Sequence, residues 1–319
     1  MTGGNTGSLW LHAAVILLLF TLGFLLPDYH HGVFARVMVL AVFAMGYNVT
    51  FGYAGLLSLG HAMFFAAGLY GAGLTIYHWG WSVWPAFAAG LLAGALLALV
   101  VGFLALRTAG VAFMIVTLMF AQVFYLAALY FTDYTRGEEG LVLPQAARML
   151  AFPGGGLSLT DPTVRYMTAL ALFTTVLAVS LFLVRSAFGR SLIAIRENED
   201  RTRMLGYDVF ANKLAAVVLS GIICAAAGAA YAVLFGYVGA GFATIQYSIL
   251  PLLWVLAGGA ATTLGPLVGT LFMFYAVDTA SGYTSAYMLL VGVALILLIL
   301  YFPKGIMGTV RERWLPWLP

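Results

Sequence analysis

The stretch NVTFGYAGLLSLGHAMF, beginning at Asn48, gathers Asn48, Tyr53, Ser58 and His61 with Gly52, Gly55 and Gly60 in an otherwise oily run. These are hydrogen-bonding groups without fixed charge, interleaved with residues that loosen a helix. In lipid an unpaired N–H or C=O is costly, so irregular backbone survives at membrane depth only where protein or a water-filled cavity covers it. The seven residues therefore belong to an interior. There they either line a polar path for a zwitterion or lock helices together, the role that Gly90-x-x-x-Gly94 and Gly265-x-x-x-Gly269 also fit. His61 by itself reads as a hydrogen-bonded structural histidine.

A second polar concentration runs from Gly189 to Gly206, GRSLIAIRENEDRTRMLG, and passes from LIAI to the unbroken polar run Arg196–Arg203. Eight such residues cannot sit in lipid. Glu197 with Arg201, and Glu199 with Arg203, stand at i,i+4 in the favourable order, each worth about 0.2–0.5 kcal/mol to a helix. The spacing predicts a short helix with Gly206 as its stop. Taken alone, such a run is a solvated face.

Other chemistry finds little support. A phosphate-cradling loop needs Gly-x-x-x-x-Gly-Lys-Ser/Thr, yet the two lysines, Lys213 and Lys304, are followed by Leu214 and Gly305. Cys224 is the only cysteine, which leaves no internal disulfide and no cysteine-based metal site. Asp278 is the one carboxylate deep in apolar sequence and reads as a boundary residue of a span. No nucleophile–base arrangement marks an enzyme active site.

The elements that position these groups follow from composition. Of 319 residues, 63% are hydrophobic and 8% charged, against roughly 25% charged in a soluble domain. Charged side chains cost about 2.5–3.5 kcal/mol at the bilayer centre, so charge-free runs measure membrane segments. Residues 37–106, 108–132, 166–184, 214–277 and 279–303 contain no Asp, Glu, Lys or Arg. At ~20 residues per spanning helix the two longest runs hold three spans each and the others one. With the apolar run Leu9–Leu26, read as a retained first helix because no basic residue precedes it, the expectation is an all-α transmembrane bundle of about 8–10 spans. Residues 1–319 form one domain.

Six of the fourteen Lys and Arg lie at Arg185, Arg190, Arg196, Arg201, Arg203 and Lys213, and Lys304, Arg311 and Arg313 crowd the C-terminus. By the positive-inside rule both regions face the cytoplasm, and counting spans places both termini there. Segment 187–212 is then a cytoplasmic loop and 132–164 an external one. The external loop carries turn signals at Phe152–Gly156 (FPGGG) and Asp161-Pro162. Apart from Arg136, Arg148 and Arg165 in and beside that loop, Arg36 is the one basic residue placed near the outer face. A short echo, Phe51-Gly52-Tyr53-Ala54-Gly55 and Phe235-Gly236-Tyr237-Val238-Gly239, falls at opposite sides, as an inverted repeat would.

NVTFGYAGLLSLGHAMFFAAGLYGAG resembles the signature of the branched-chain amino-acid ABC transporter permeases. Arg107-Thr-Ala-Gly110 with VAFMIVTLMFAQ, the charged loop GRSLIAIRENEDRTRMLGYDVFANKLAAVVLS, LGPLVGT and FPKGIMG resemble further segments of that family in order and spacing, most closely its LivM-type subunits. YTRGEEGL departs from the pattern, with Arg136 where a glycine is usual.

The resemblance implies a permease subunit in the bacterial plasma membrane that binds no cofactor itself. It would import branched-chain or related amino acids, delivered by an extracytoplasmic binding protein. Its partners would be a sibling permease and two ATP-binding subunits that hold ATP and magnesium. Gly189, Arg190, Arg196, Glu197, Asp200, Arg201, Arg203 and Gly206 would couple to the ATPase. Asn48, Gly52, Tyr53, Gly55, Ser58, Gly60 and His61 would line the substrate pathway. An ion-coupled secondary carrier, a scaffold subunit, and an ABC permease for urea, short amides or aromatic acids stay open at this point.

Overall fold

The charge-free runs fold as helices whose ends fall close to the charges that bound them. In the computed structural model, which describes residues 3–152, 155–284 and 286–314, the first five helices are α1 (Gly3–Leu25), α2 (Asp28–Asn48), α3 (His61–Trp79), α4 (Val83–Ala105) and α5 (Val111–Tyr130). A one-turn α6 (Thr132–Thr135) leads into the loop before α7 (Pro162–Arg185). The charged elbow is α8 (Ala187–Glu197) and α9 (Glu199–Met204). There follow α10 (Val209–Phe235), α11 (Ile245–Gly258), α12 (Gly265–Tyr283), α13 (Tyr287–Tyr301) and α14 (Gly305–Arg313).

Seven helical stretches among the described residues are long and apolar enough to cross a membrane; the last covers α13 and α14. The helices α3 and α12 are also of spanning length, 19 residues each, about 28 Å at 1.5 Å per residue, but carry more glycine and polar residues.

Burial sorts the spans into two layers. In α2 and α10, 78% of the apolar window is buried, against at most 22% in α1, α5 and the α13–α14 stretch. The inner pair packs with α3, α4, α7 and α12, and the outer spans turn leucine and valine outward. Small residues set the inner spacing. A methyl group on Gly68 would overlap the Ala225 carbonyl, and one on Gly228 the Phe65 carbonyl, so α3 and α10 touch backbone to backbone. Gly94 does the same for α4, where a methyl would overlap the side chain of Ala225. Cys224 is fully buried in this seam, its Sγ 3.7 Å from the Phe43 carbonyl.

The bundle has a basic end and a strand-bearing end. Antiparallel α1 and α7 are tied at both. Tyr166 Oη donates to Leu19 O at 2.5 Å near one, and Arg185 Nη2 to Ser8 Oγ at 3.0 Å near the other. The elbow, the Arg107 turn beside Phe210, the α11–α12 loop and α14 share the basic end. At the opposite end, β1 (Leu141–Val142) pairs antiparallel with β4 (Tyr237–Val238), Leu141 opposite Val238. There β2 (Met149–Phe152) also pairs with β3 (Gly155–Ser158). Pro153 and Gly154 of the FPGGG turn lie outside the described residues. The other expected turn is an N-cap: Asp161 Oδ1 accepts from Thr163 N at 2.8 Å, with Pro162 at the first helical position.

Two spans are interrupted, one from each end. After α2 a π-helical turn, Val49–Tyr53, closes with Ala54 N donating to Val49 O at 3.2 Å. Ala54–Gly60 then runs back without helix, and α3 starts inside the bundle. From the other end α10 stops at Gly236 (φ +72), and residues 237–244 return inward to the start of α11. The two half-way starts meet, since Ala62 N donates to Ser248 Oγ at 3.0 Å. The Phe-Gly-Tyr echo thus marks both interruptions, and the helices that follow point in opposite directions.

Candidate functional site: a glycine-broken stretch clamped to a charged elbow

Asn48, the last residue of α2, crosses to the α11–α12 loop. Its Nδ2 donates to Thr262 O at 2.9 Å and its Oδ1 accepts from Ala261 N at 3.0 Å. Gly52 lies inside the π turn, against the Asn48 amide and 2.7 Å from Ala261 N measured from where a Cβ would stand, so no side chain fits. Replacing Asn48 with alanine strands a buried N–H and a C=O. Interhelical bonds in membranes average about 0.6 kcal/mol, while orphaned groups cost about 1–3 kcal/mol. A loss of roughly 1–3 kcal/mol is expected, read as a lower thermal midpoint of the detergent-solubilised protein.

His61, on the first turn of α3, is the centre of a closed network. Nδ1 lies 3.0 Å from Ser58 Oγ; Nε2 lies 3.0 Å from both Thr50 Oγ1 and Ser220 Oγ. The hydroxyl hydrogens of Thr50 and Ser220 go to Tyr47 O and Gly46 O. Each hydroxyl has one hydrogen, so this count assigns the proton to Nε2 and leaves Nδ1 to accept from Ser58. Gly60 N and the Tyr47 hydroxyl close the ring on Ser58 Oγ and Ser58 O. In this conformation Ser58 and His61 bond each other and Asn48 bonds the α11–α12 loop, so all three polar groups are taken up by protein.

The elbow begins where Ser186 Oγ caps α8 by accepting from Gly189 N at 3.1 Å. Gly189 packs on the Leu183 carbonyl too closely for a side chain. Arg190 Nη1 donates to Arg185 O at 2.8 Å, and the Leu192–Ile195 face is buried. Arg196 reaches the other way: Nη1 donates to Gly52 O, and its Cγ is 2.8 Å from where a Cβ of Gly55 (φ +71) would stand. Among the described residues this is the side-chain hydrogen bond that joins α8 to the glycine-broken stretch.

One expected pair fails. Glu197 and Arg201 form no ion pair, because Asn198 turns extended (φ −159) and starts a new helix, its Oδ1 accepting from Arg201 N at 2.8 Å. The two residues therefore stand on different helices. Glu199 does pair with Arg203 at 3.3 Å and also with Lys213, while Asp200 lies 3.6 Å from Arg203. Gly206 (φ +88) ends α9 as expected. Beyond the charges, Met204, Leu205 and Tyr207 are exposed. That apolar patch was visible in the sequence as MLGY directly after the polar run, and its signal lay in adjacency rather than in any one residue.

At the strand-bearing end, Arg148 is buried and covers the last carbonyls of α10, with Nε to Val233 O at 2.7 Å and Nη2 to Leu234 O. Burial first, then repulsion from Arg165, lowers its pKa. Arg36 and Arg165 both lie over the Phe235 ring, at 5.3 and 5.7 Å. Arg36 does stand near this end.

Residues 30–300 match the family described as branched-chain amino acid transport system, permease component. The chain belongs to this permease family. LivM of Escherichia coli (strain K12), a high-affinity branched-chain amino acid transport system permease protein, is 29% identical over 296 residues, 86% of this chain and 69% of the relative. LivM of Salmonella typhimurium (strain LT2) is 28% identical over 294 residues with the same coverage. A probable branched-chain amino acid transport permease protein LivM of Methanocaldococcus jannaschii is 28% identical over 140 residues, 39% of this chain and 40% of that one. No solved structure gives a significant match. The permease is a multi-pass protein of the bacterial inner membrane, a translocation component rather than a catalyst.

Proposed function

We propose that the permease is the membrane subunit of an ATP-driven importer, carrying branched-chain or related amino acids that an extracytoplasmic binding protein delivers. It works beside a sibling permease and two ATP-binding subunits, which hold the nucleotide and magnesium. The single observation behind this reading is the Arg196 bond to Gly52 O, which joins the charged elbow to the glycine-broken stretch. An element built to be pushed from outside is thereby tied to one built to repack.

Sidedness follows from charge. Arg107, the six basic residues of Arg185–Lys213, and Lys304, Arg311 and Arg313 favour the basic end in the cytoplasm, with both chain termini there. The ATPase partners then meet α8 and α9 through Arg190, Glu197, Asp200, Arg201 and Arg203, with Met204, Leu205 and Tyr207 as the apolar contact. Closure of the ATPases moves the elbow, Arg196 pulls on the π turn, and the interrupted spans exchange inward-open and outward-open packings. The polar groups of Asn48, Tyr53, Ser58 and His61, with the glycines between them, are exposed to substrate in that exchange. A π turn is a common device at such places.

Reversing the charges of Glu197, Asp200 and Arg203 together is expected to abolish co-purification of the ATPase subunits while the permease still reaches the membrane. An intact complex with coupled uptake in that variant defeats the docking assignment. Accumulation of leucine on an ion gradient by the isolated chain in vesicles, with no ATPase present, defeats the whole reading in favour of a secondary carrier.

A further inference from the structure

At the basic end the elbow, the π turn and α14 enclose a pocket of about 520 Å³, within the range of small-molecule sites. Two guanidinium groups enter it from different elements. Arg196 has one N–H on Gly52 O, and Arg311 has one on Ala261 O at 3.1 Å. Each side chain carries five N–H donors in a planar fork, and among the described residues neither is within 4 Å of a carboxylate. Glu197 lines the same pocket and has no ion-pair partner among the described residues.

Opposite charges therefore face one solvent-open pocket without pairing with each other. Tyr53 also lines it; the residue is 3% exposed and its hydroxyl is buried with no hydrogen-bond partner among the described residues. Buried polar groups are ordinarily paired, so an orphan of this kind calls for an explanation. Val184 and Ile193 supply an apolar wall. Beside them Ala261 holds a left-handed φ of +55, with its N–H bound by Asn48 and its carbonyl by Arg311. Strain of that sort persists where surroundings over-determine it.

We propose that this pocket is a cytoplasmic binding site for a free α-amino acid with an apolar side chain, through which imported product slows further import. The carboxylate lies on the Arg196 and Arg311 forks, the ammonium faces Glu197, the side chain packs on Val184 and Ile193, and the Tyr53 hydroxyl, covered in the free site, turns to donate to the carboxylate. Bidentate guanidinium–carboxylate pairing gives the orientation. A ligand so held joins the π turn, α8 and α14 in their present spacing and resists the elbow's movement. The inference rests on the importer reading above, which supplies the direction of transport.

The test uses the complete complex in proteoliposomes with the ATPase side outward, and L-leucine as the probe. Binding to the purified complex without binding protein is measured for L-leucine, leucinamide and 4-methylpentanoate, the latter two lacking one charge each. L-Leucine is expected to bind, and each analogue at least tenfold more weakly. Arg311→Gln and Tyr53→Phe are each expected to weaken leucine binding at least tenfold. Tyr53→Phe removes only the orphaned hydroxyl, so it keeps the test valid if Arg311→Gln fails to assemble. Leucine added on the ATP side is expected to slow binding-protein-dependent uptake several-fold in wild type and not in Arg311→Gln. Equal leucine binding by wild type and both variants, or uptake indifferent to leucine on the ATP side, overturns the proposal while leaving the importer reading in place. Absence of any ATP-driven uptake by the wild-type complex strikes the importer reading itself.

Discussion

Arg196→Ala is expected, under the proposed importer function, to leave the permease assembled with the ATP-binding subunits and to lower ATP-driven uptake at least tenfold, with ATP hydrolysis continuing. The elbow's own structure does not depend on Arg196. Its caps are Ser186 and Asn198, and its ion pairs are made by Glu199, Asp200, Arg203 and Lys213. Arg196 instead provides the described hydrogen bond between that unit and the π turn. Its removal should separate docking from transmission. Lysine in its place keeps the charge but loses the planar fork that reaches Gly52 O while lying along Gly55, so partial rescue is expected. Uptake and hydrolysis measured on the same proteoliposomes decide the matter, and coupled uptake within twofold of wild type would remove Arg196 from the transmission path.

Gly228→Val is expected to eliminate the folded protein. At this position α10 lies against the backbone of α3: a Cβ would overlap the Phe65 carbonyl and come within 3.0 Å of Leu69 N. Neither is a flexible side chain that could swing aside, so the helices must separate along the seam that also holds Gly68 and Gly94. Overpacking usually costs about 1–3 kcal/mol, and a β-branched residue against fixed backbone exceeds that. Gly32→Ala is the matched control, because nothing among the described residues lies within 4 Å of the added methyl. A change within about 1 kcal/mol is expected there. Size-exclusion profiles and thermal midpoints in detergent compare the two; a Gly228→Val protein melting with wild type would mean the seam can open without penalty.

Much of this arrangement could be read from the chain. Charges mark span ends because their cost in lipid is large, so the run 37–106 divided into three spans that correspond to α2, α3 and α4. The interruption at Gly52–Gly60 was announced by glycines and polar residues that lipid does not tolerate unsupported. Its form was not, since a π turn differs from an α turn by one residue in the hydrogen-bond register and leaves no mark in composition. The Glu197–Arg201 pair failed because spacing rules assume a continuous helix, and Asn198 ended it. The short ladders at Leu141–Val142 and Met149–Phe152 have too few residues for an alternation to register. The convergence of Tyr53, Arg196 and Arg311 was out of reach, because only packing brings residues so distant in sequence to one cavity.

Burial of the lone thiol in the helix seam has an experimental consequence. Cys224 Sγ is enclosed by α2 and α10, so a membrane-impermeant maleimide should leave the native chain unlabelled. A cysteine engineered at exposed Met204 or Tyr130 would then be the sole reporter in its molecule, and intact vesicles would reveal which compartment each one faces without any need to strip the natural sulfur first.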